Sequence, residues 1–138
     1  MQRLRDADWS FRWYSLGWII AGLFLLLAGG CSNDGAKQKL EFGQQTVERG
    51  LEAWKAGKKP ADLKSAAAPI DFFDDDWNQS AKLIGYTIQE SFIEPSDGTA
   101  RCSVLLQVQY GNKPPRQVRC AYQIVAEPAV AVARDPMS

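Results

Sequence analysis

The sequence predicts an α+β domain, with an N-terminal helix packed on a four-stranded antiparallel meander sheet. Three observations predict it. Leu40, Val47, Leu51 and Trp54 are spaced 7, 4 and 3 apart, which puts them on one helical face. From Lys82 onward the apolar residues recur every second position, the period of a half-buried strand. Clusters of turn-forming residues then separate the alternating runs, and such short connections join consecutive strands antiparallel.

The helix is expected over roughly Lys37–Ala56. Glu41 lies near its start, and Lys55, Lys58 and Lys59 at or just past its end, the favourable order for a helix dipole. Gly43 and Gly50 each weaken it by about 1 kcal/mol relative to alanine, so it needs tertiary packing. Gly57 is a natural stop, and Pro60 prevents continuation and opens a second short helix. Ile70–Phe73 is either a short strand or a turn onto the core.

Ile84, Tyr86 and Ile88 define the buried face of the first strand, with Phe92 continuing it. Glu94–Gly98 is turn chemistry. The second strand, roughly Ala100–Tyr110, turns Cys102, Val104, Leu106, Val108 and Tyr110 inward. Gly111–Pro114 forms the next turn. The third strand, roughly Arg116–Ala126, turns Val118, Cys120, Tyr122 and Ile124 inward, and Ala129–Ala133 makes a short fourth.

Ahead of the helix lies an uncharged run of 13 residues, Leu16–Ala28, preceded by Arg3, Arg5 and Arg12. That length suits the core of an export signal, about 7–15 residues, better than a membrane span of about 17–25. The run ends in Ala28-Gly29-Gly30-Cys31. This junction resembles the lipobox of bacterial lipoproteins, except that alanine stands at Ala28 where leucine is usual. The resemblance implies lipidation at Cys31, cleavage after Gly30, a membrane as partner, and a domain on the extracytoplasmic side of the bacterial cell envelope. Residues 1–30 are then a signal peptide, 31–38 a lipidated tether and 39–138 the domain. Ordinary cleavage before Cys31 and an uncleaved anchor are the alternatives.

Composition narrows the function. With Arg3, Arg5, Arg12, Asp6 and Asp8 set aside, 13 basic and 14 acidic side chains remain, so nucleic acid is a poor partner. The chain contains no histidine, the commonest general base and metal ligand. No catalytic residue, cofactor or metal is expected. Asp74-Asp75-Asp76 reads as an exposed loop, with a cation site or a helix cap around Trp77 as alternatives. Glu48 and Glu52 read as a solvated face. Cys102 and Cys120 lie on the apolar faces of neighbouring strands. A hairpin centred near Gly111 can place them opposite each other for a disulfide, or leave them as buried thiols.

The order of elements over Leu40–Arg134, with Leu51–Gly57 and the closing stretch Pro128–Arg134, resembles cystatin-like and NTF2-like domains. That resemblance implies a helix cradled by a curved sheet. Two functions compete, with an enzyme using Asp or Glu from the Asp74–Asp76 region as a third class. One is a non-catalytic envelope lipoprotein that binds a protein or envelope component. The other is a pocket protein that holds a small apolar ligand between helix and sheet, contacted by Trp54, Trp77 or Tyr86.

Overall fold

A computed structural model describes residues 34–136. Helix α1 spans Asp34–Lys55, α2 Pro60–Lys64 and α3 Asp75–Asn78; the strands are β1 Asp71–Phe73, β2 Lys82–Ile93, β3 Ala100–Gln109, β4 Arg116–Val125 and β5 Ala131–Arg134. They form one sheet in the order β1-β5-β4-β3-β2. The four later strands make the expected antiparallel meander. The fold departs from the four-stranded expectation by one edge strand, β1, which runs parallel to β5 with Phe72 beside Val132. The fold is therefore α+β with a five-stranded mixed sheet. Helix α1 also begins three residues before Lys37, so residues 34–38, expected in the tether, are helical.

Helix α1 buries Gly43, Thr46, Val47, Gly50, Leu51, Ala53 and Trp54. The inner sheet face buries Val104, Leu106, Val108, Tyr122 and Val132 completely, and Phe72, Leu83 and Ile124 nearly so. The two glycines that weaken α1 are explained by how closely it lies on this face. A methyl group on Gly43 would meet Ala100 Cβ at 3.3 Å, and one on Gly50 would lie 2.1 Å from Phe72 Cε2.

Strand β2 corrects the sequence reading. Register shifts occur between Leu83 and Gly85 and between Ile88 and Glu90. Each extra residue reverses the facing of the strand beyond it, because side chains alternate with a period of two. Leu83, Tyr86 and Ile88 therefore share the inner face, Ile84 is 42% exposed on the first bulge, and Phe92 pairs with Arg101 on the outer face. In β3 and β4 the predicted inward residues all face the core. The β2–β3 turn is tied by Asp97 Oδ1, which accepts from the Thr99 amide at 2.8 Å and its hydroxyl at 2.6 Å. Arg101 draws Glu94, Asp97 and Asp135 together at the same end.

Candidate functional site

Two helix ends meet beside β2, and each is closed in the same way. At the end of α1, the Gly57 amide donates to Trp54 O at 2.9 Å and the Lys58 amide to Ala53 O at 3.0 Å. At the end of α3, the Ser80 amide donates to Trp77 O and the Ala81 amide to Asp76 O, both at 2.9 Å. This arrangement satisfies the last carbonyls of each helix and needs a left-handed residue just past it. Gly57 (φ 78°) supplies that residue after α1, and Ser80 (φ 63°) after α3.

The two tryptophans occupy equivalent places in these endings and reach across to each other's helix. Trp54 Nε1 donates to Ala81 O at 2.7 Å, and Trp77 Nε1 donates to Lys58 O at 2.9 Å. Their rings stack, with centroids 5.4 Å apart and planes 9° from parallel. The result is a reciprocal clasp: each indole donates to a carbonyl just past the end of the other helix. Both rings are at least 95% buried, so each needs its N–H partnered, and each has that partner.

A helix of four residues cannot hold itself together. Side chains hold α3. Asp74 caps it, with Oδ1 accepting from the Trp77 amide at 3.0 Å. Asp74 Oδ2 accepts from the buried Tyr122 hydroxyl at 2.7 Å. Asp76 Oδ2 accepts from Arg134 Nη1 at 2.7 Å, and Asp76 Oδ1 accepts from the Tyr110 hydroxyl. Arg116 stacks over the Tyr110 ring at 4.9 Å and approaches Asp76 at 3.7 Å. Burial alone would raise the Asp76 carboxyl. The hydrogen bonds from Tyr110 and Arg134 and the charges of Arg134 and Arg116 outweigh it and hold the group below the ordinary aspartate value. Burial and the Asp74 carboxylate push the Tyr122 hydroxyl well up.

The Asp74–Asp76 cluster is thus not the exposed loop expected from its charge. Asp75 is exposed, but Asp74 and Asp76 are buried and fully partnered. The alternative of a helix cap around Trp77 is the one observed. Among the described residues, no group of three or more Asp, Glu or Cys side chains is placed to share a metal ion.

A cleft of about 510 Å³ opens against the clasp. Its wall includes Lys55, Lys58, Lys59 and Lys82, with Pro60, Leu83 and Ile84 as apolar surface and the edges of Trp54 and Trp77 behind them. Among the described residues, no carboxylate lines it. A more open groove of about 680 Å³ between α1 and α2 mixes Glu48, Glu52 and Asp62 with Arg49 and Lys58.

Of the sequence-predicted contacts, the structure brings Trp54 and Trp77 together and leaves Tyr86 apart. The Tyr86 hydroxyl donates to Glu52 at 2.7 Å, and Tyr86 does not line the clasp cleft. Burial and Glu52 push that hydroxyl upward. Cys102 and Cys120 are free and buried. The hairpin register pairs Cys102 with Tyr122 and Val104 with Cys120, so the cysteines lie diagonally rather than opposite. Diagonal positions are about 7–8 Å apart, too far for a disulfide without backbone movement. Burial pushes the Cys120 thiol up to about 11 and raises Cys102 as well, which makes both poor nucleophiles. Cys31 lies outside the described residues. No described helix is long and apolar enough to cross a membrane.

Sequence reasoning missed Tyr110, Arg116, Tyr122 and Arg134 as site-building residues. One signal was present: Arg134 follows Val130 and Val132 in phase, and an arginine on an apolar strand face calls for a buried acid. Comparison with protein-family models, curated proteins and solved structures found no match.

Proposed function

We propose that this chain is a non-catalytic, membrane-anchored lipoprotein of the bacterial envelope, whose small domain binds a protein or envelope component. The junction Ala28-Gly29-Gly30-Cys31 after an apolar run supports the anchor. The order of one helix followed by an antiparallel meander supports a cystatin-like or NTF2-like fold for the domain. The clasp cleft supports binding: aromatic, apolar and cationic side chains converge there on open space. The buried carboxylates support it too, because Asp74 and Asp76 spend their oxygens on α3, Tyr110, Tyr122 and Arg134 rather than facing the cleft.

If Cys31 carries the lipid, only Ser32 and Asn33 separate it from the start of α1. The cleft lies at the other end of that helix, about 33 Å along its axis at 1.5 Å per residue.

The rival, a pocket for a small apolar ligand, is favoured by the two tryptophans behind the cleft. The intact mass of the protein from its native membrane tests the anchor. Cys31–Ser138 plus acyl and glyceryl groups is the expected result, and the full-length mass would replace it with an uncleaved anchor. A thermal-stability screen tests the domain, since a ligand that binds the native state raises its melting temperature. Stabilisation by apolar compounds alone would favour the rival.

A further inference from the structure

We infer that the clasp cleft binds a phosphate-bearing ligand, either a free phosphate ester or a lipid headgroup. The inference rests on the reading of this domain as a binding module and names the ligand class. Four lysines from two parts of the chain line one cleft of about 510 Å³: Lys55, Lys58 and Lys59 around the end of α1, and Lys82 at the start of β2. All four are exposed, and among the described residues none forms a salt bridge. The chain as a whole is neutral, with 16 basic and 16 acidic side chains, so this concentration of one sign is local. A cleft with low-dielectric walls and one sign of charge focuses its field on an incoming ion.

The dipole of α1 suits Lys55, Lys58 and Lys59, but hydrogen-bond capping does not call for them: the carbonyls of Glu52, Trp54 and Ala53 receive the amides of Ala56, Gly57 and Lys58. Lys82 belongs to no helix. The neighbouring groove shows the ordinary pattern, in which Arg49 and Lys58 are interleaved with Glu48, Glu52 and Asp62.

Lysine binds phosphate as a compact point charge, and the cleft brings four of them together. A phosphate monoester carries about −1.5 to −2 charge at neutral pH, so two such groups match four ammonium groups. Pro60 and Ile84, the latter 42% exposed, provide apolar surface for the body of the ligand. The rigid floor needs no ordering when a ligand arrives, because both indoles are already stacked and hydrogen-bonded.

The test uses the full chain in nonionic detergent, titrated calorimetrically with inorganic pyrophosphate. In parallel, its melting temperature is followed in micelles doped with phosphatidylglycerol or phosphatidylcholine. We expect saturable, salt-sensitive binding of at least one phosphate probe. Lys58→Glu/Lys82→Glu should weaken it at least tenfold, Lys58→Gln/Lys82→Gln should weaken it less, and Lys37→Glu, at the opposite end of α1 from the cleft, should leave it unchanged. Near-ultraviolet circular dichroism of the stacked tryptophans reports that each variant is folded. Pyrophosphate binding without a phosphatidylglycerol shift assigns a free phosphate ester; the reverse assigns a headgroup. Silence with both probes overturns the inference, as does equal binding by the Lys58→Glu/Lys82→Glu and Lys37→Glu variants. If both probes are silent but a protein co-purifies stably with the full chain, the binding module stands and the phosphate ligand falls.

Discussion

Replacing Gly50 with alanine sets local propensity against packing, and the structure decides the sign. Alanine is favoured over glycine by about 1 kcal/mol in a helix interior. On that basis Gly50→Ala should stabilise α1. The new methyl carbon, however, would lie 2.1, 2.3 and 3.0 Å from Cε2, Cδ2 and Cζ of Phe72. Comfortable carbon–carbon contact is about 3.5–4.0 Å, so the ring or the helix must retreat by more than about 1 Å. The ring has little room to do so. Trp77 meets it edge-on with centroids 5.4 Å apart, and Tyr122 lies 5.3 Å away, tilted. Overpacking of this kind costs about 1–3 kcal/mol, and so severe an overlap belongs at the upper end. Subtracting the propensity gain leaves a loss of about 2 kcal/mol, or roughly 8–16 °C in melting temperature for a domain of this size. Urea denaturation measures it as a lower midpoint with an unchanged slope. Gly35→Ala is the control in the same helix, since nothing lies within 4 Å of the added methyl. Phe72→Leu removes the ring, so Gly50→Ala should cost less in that background. A Gly50→Ala protein as stable as the parent, or one equally destabilised with and without the Phe72 ring, would refute the packing argument.

Other consequences are open to measurement. Trp77→Phe removes the N–H bonded to Lys58 O and part of the stack, and should cost about 2 kcal/mol in urea denaturation. Combined with Trp54→Phe, the two losses should fail to add, because the rings are in contact. Ser80→Gly relieves a φ of 63°; a left-handed non-glycine residue costs about 1–2 kcal/mol, and the greater entropy of unfolded glycine offsets about 0.5–1 of that. The variant should gain about 0.5 kcal/mol, and any loss of stability counts against the strain. The Asp76 carboxyl is held below its ordinary value, so the stability it contributes is present above the unfolded value near 3.9 and is lost as pH falls through the lower folded one. Asp76→Asn should therefore lower the urea midpoint clearly at pH 7, and the gap to the parent should narrow progressively below about pH 4. Cys102 and Cys120 should resist alkylation in the native state and react without prior reduction once urea unfolds the chain; a need for reductant would mean that the register has moved.

The parts of this fold legible in the sequence are those with a local period. The face of β3 follows strict alternation, Cys120, Tyr122 and Ile124 of β4 keep the same phase, and Val47, Leu51 and Trp54 recur on one face of a helix; these are buried as expected, while Val118 is half-buried. The parts that could not be read arise from non-local pairing or broken periods. Strand β1 is three residues long and acquires its partner only when β5 arrives about 60 residues later, so Ile70–Phe73 carries no period of its own. The bulges in β2 leave the composition of the strand unchanged yet turn Phe92 to the opposite face. The carboxylates misled for the opposite reason. Three consecutive aspartates favour solvent unless cations and hydroxyls from elsewhere meet them, and Tyr110, Tyr122 and Arg134 lie 34, 48 and 58 residues from their partners.

That long-range meeting joins the buried carboxylates to the cleft. Helix α3 has four residues, and its position depends on Asp74, Asp76 and Trp77, whose side chains point in different directions. Asp74 and Asp76 reach Tyr122 on β4, Arg134 on β5 and Tyr110 beyond β3; Trp77 reaches the end of α1. Ser80 and Ala81, just past α3, line the cleft, and the Ala81 carbonyl holds Trp54 in place. A change in any of these anchors moves the same short segment. The carboxylate network is therefore a positioning device for the clasp even though Asp74 and Asp76 do not line the cleft. The loss of an anchor such as the Asp76–Arg134 pair should loosen the Trp54–Trp77 stack before it disturbs β3 and β4, because the β3–β4 ladder closes on itself without α3.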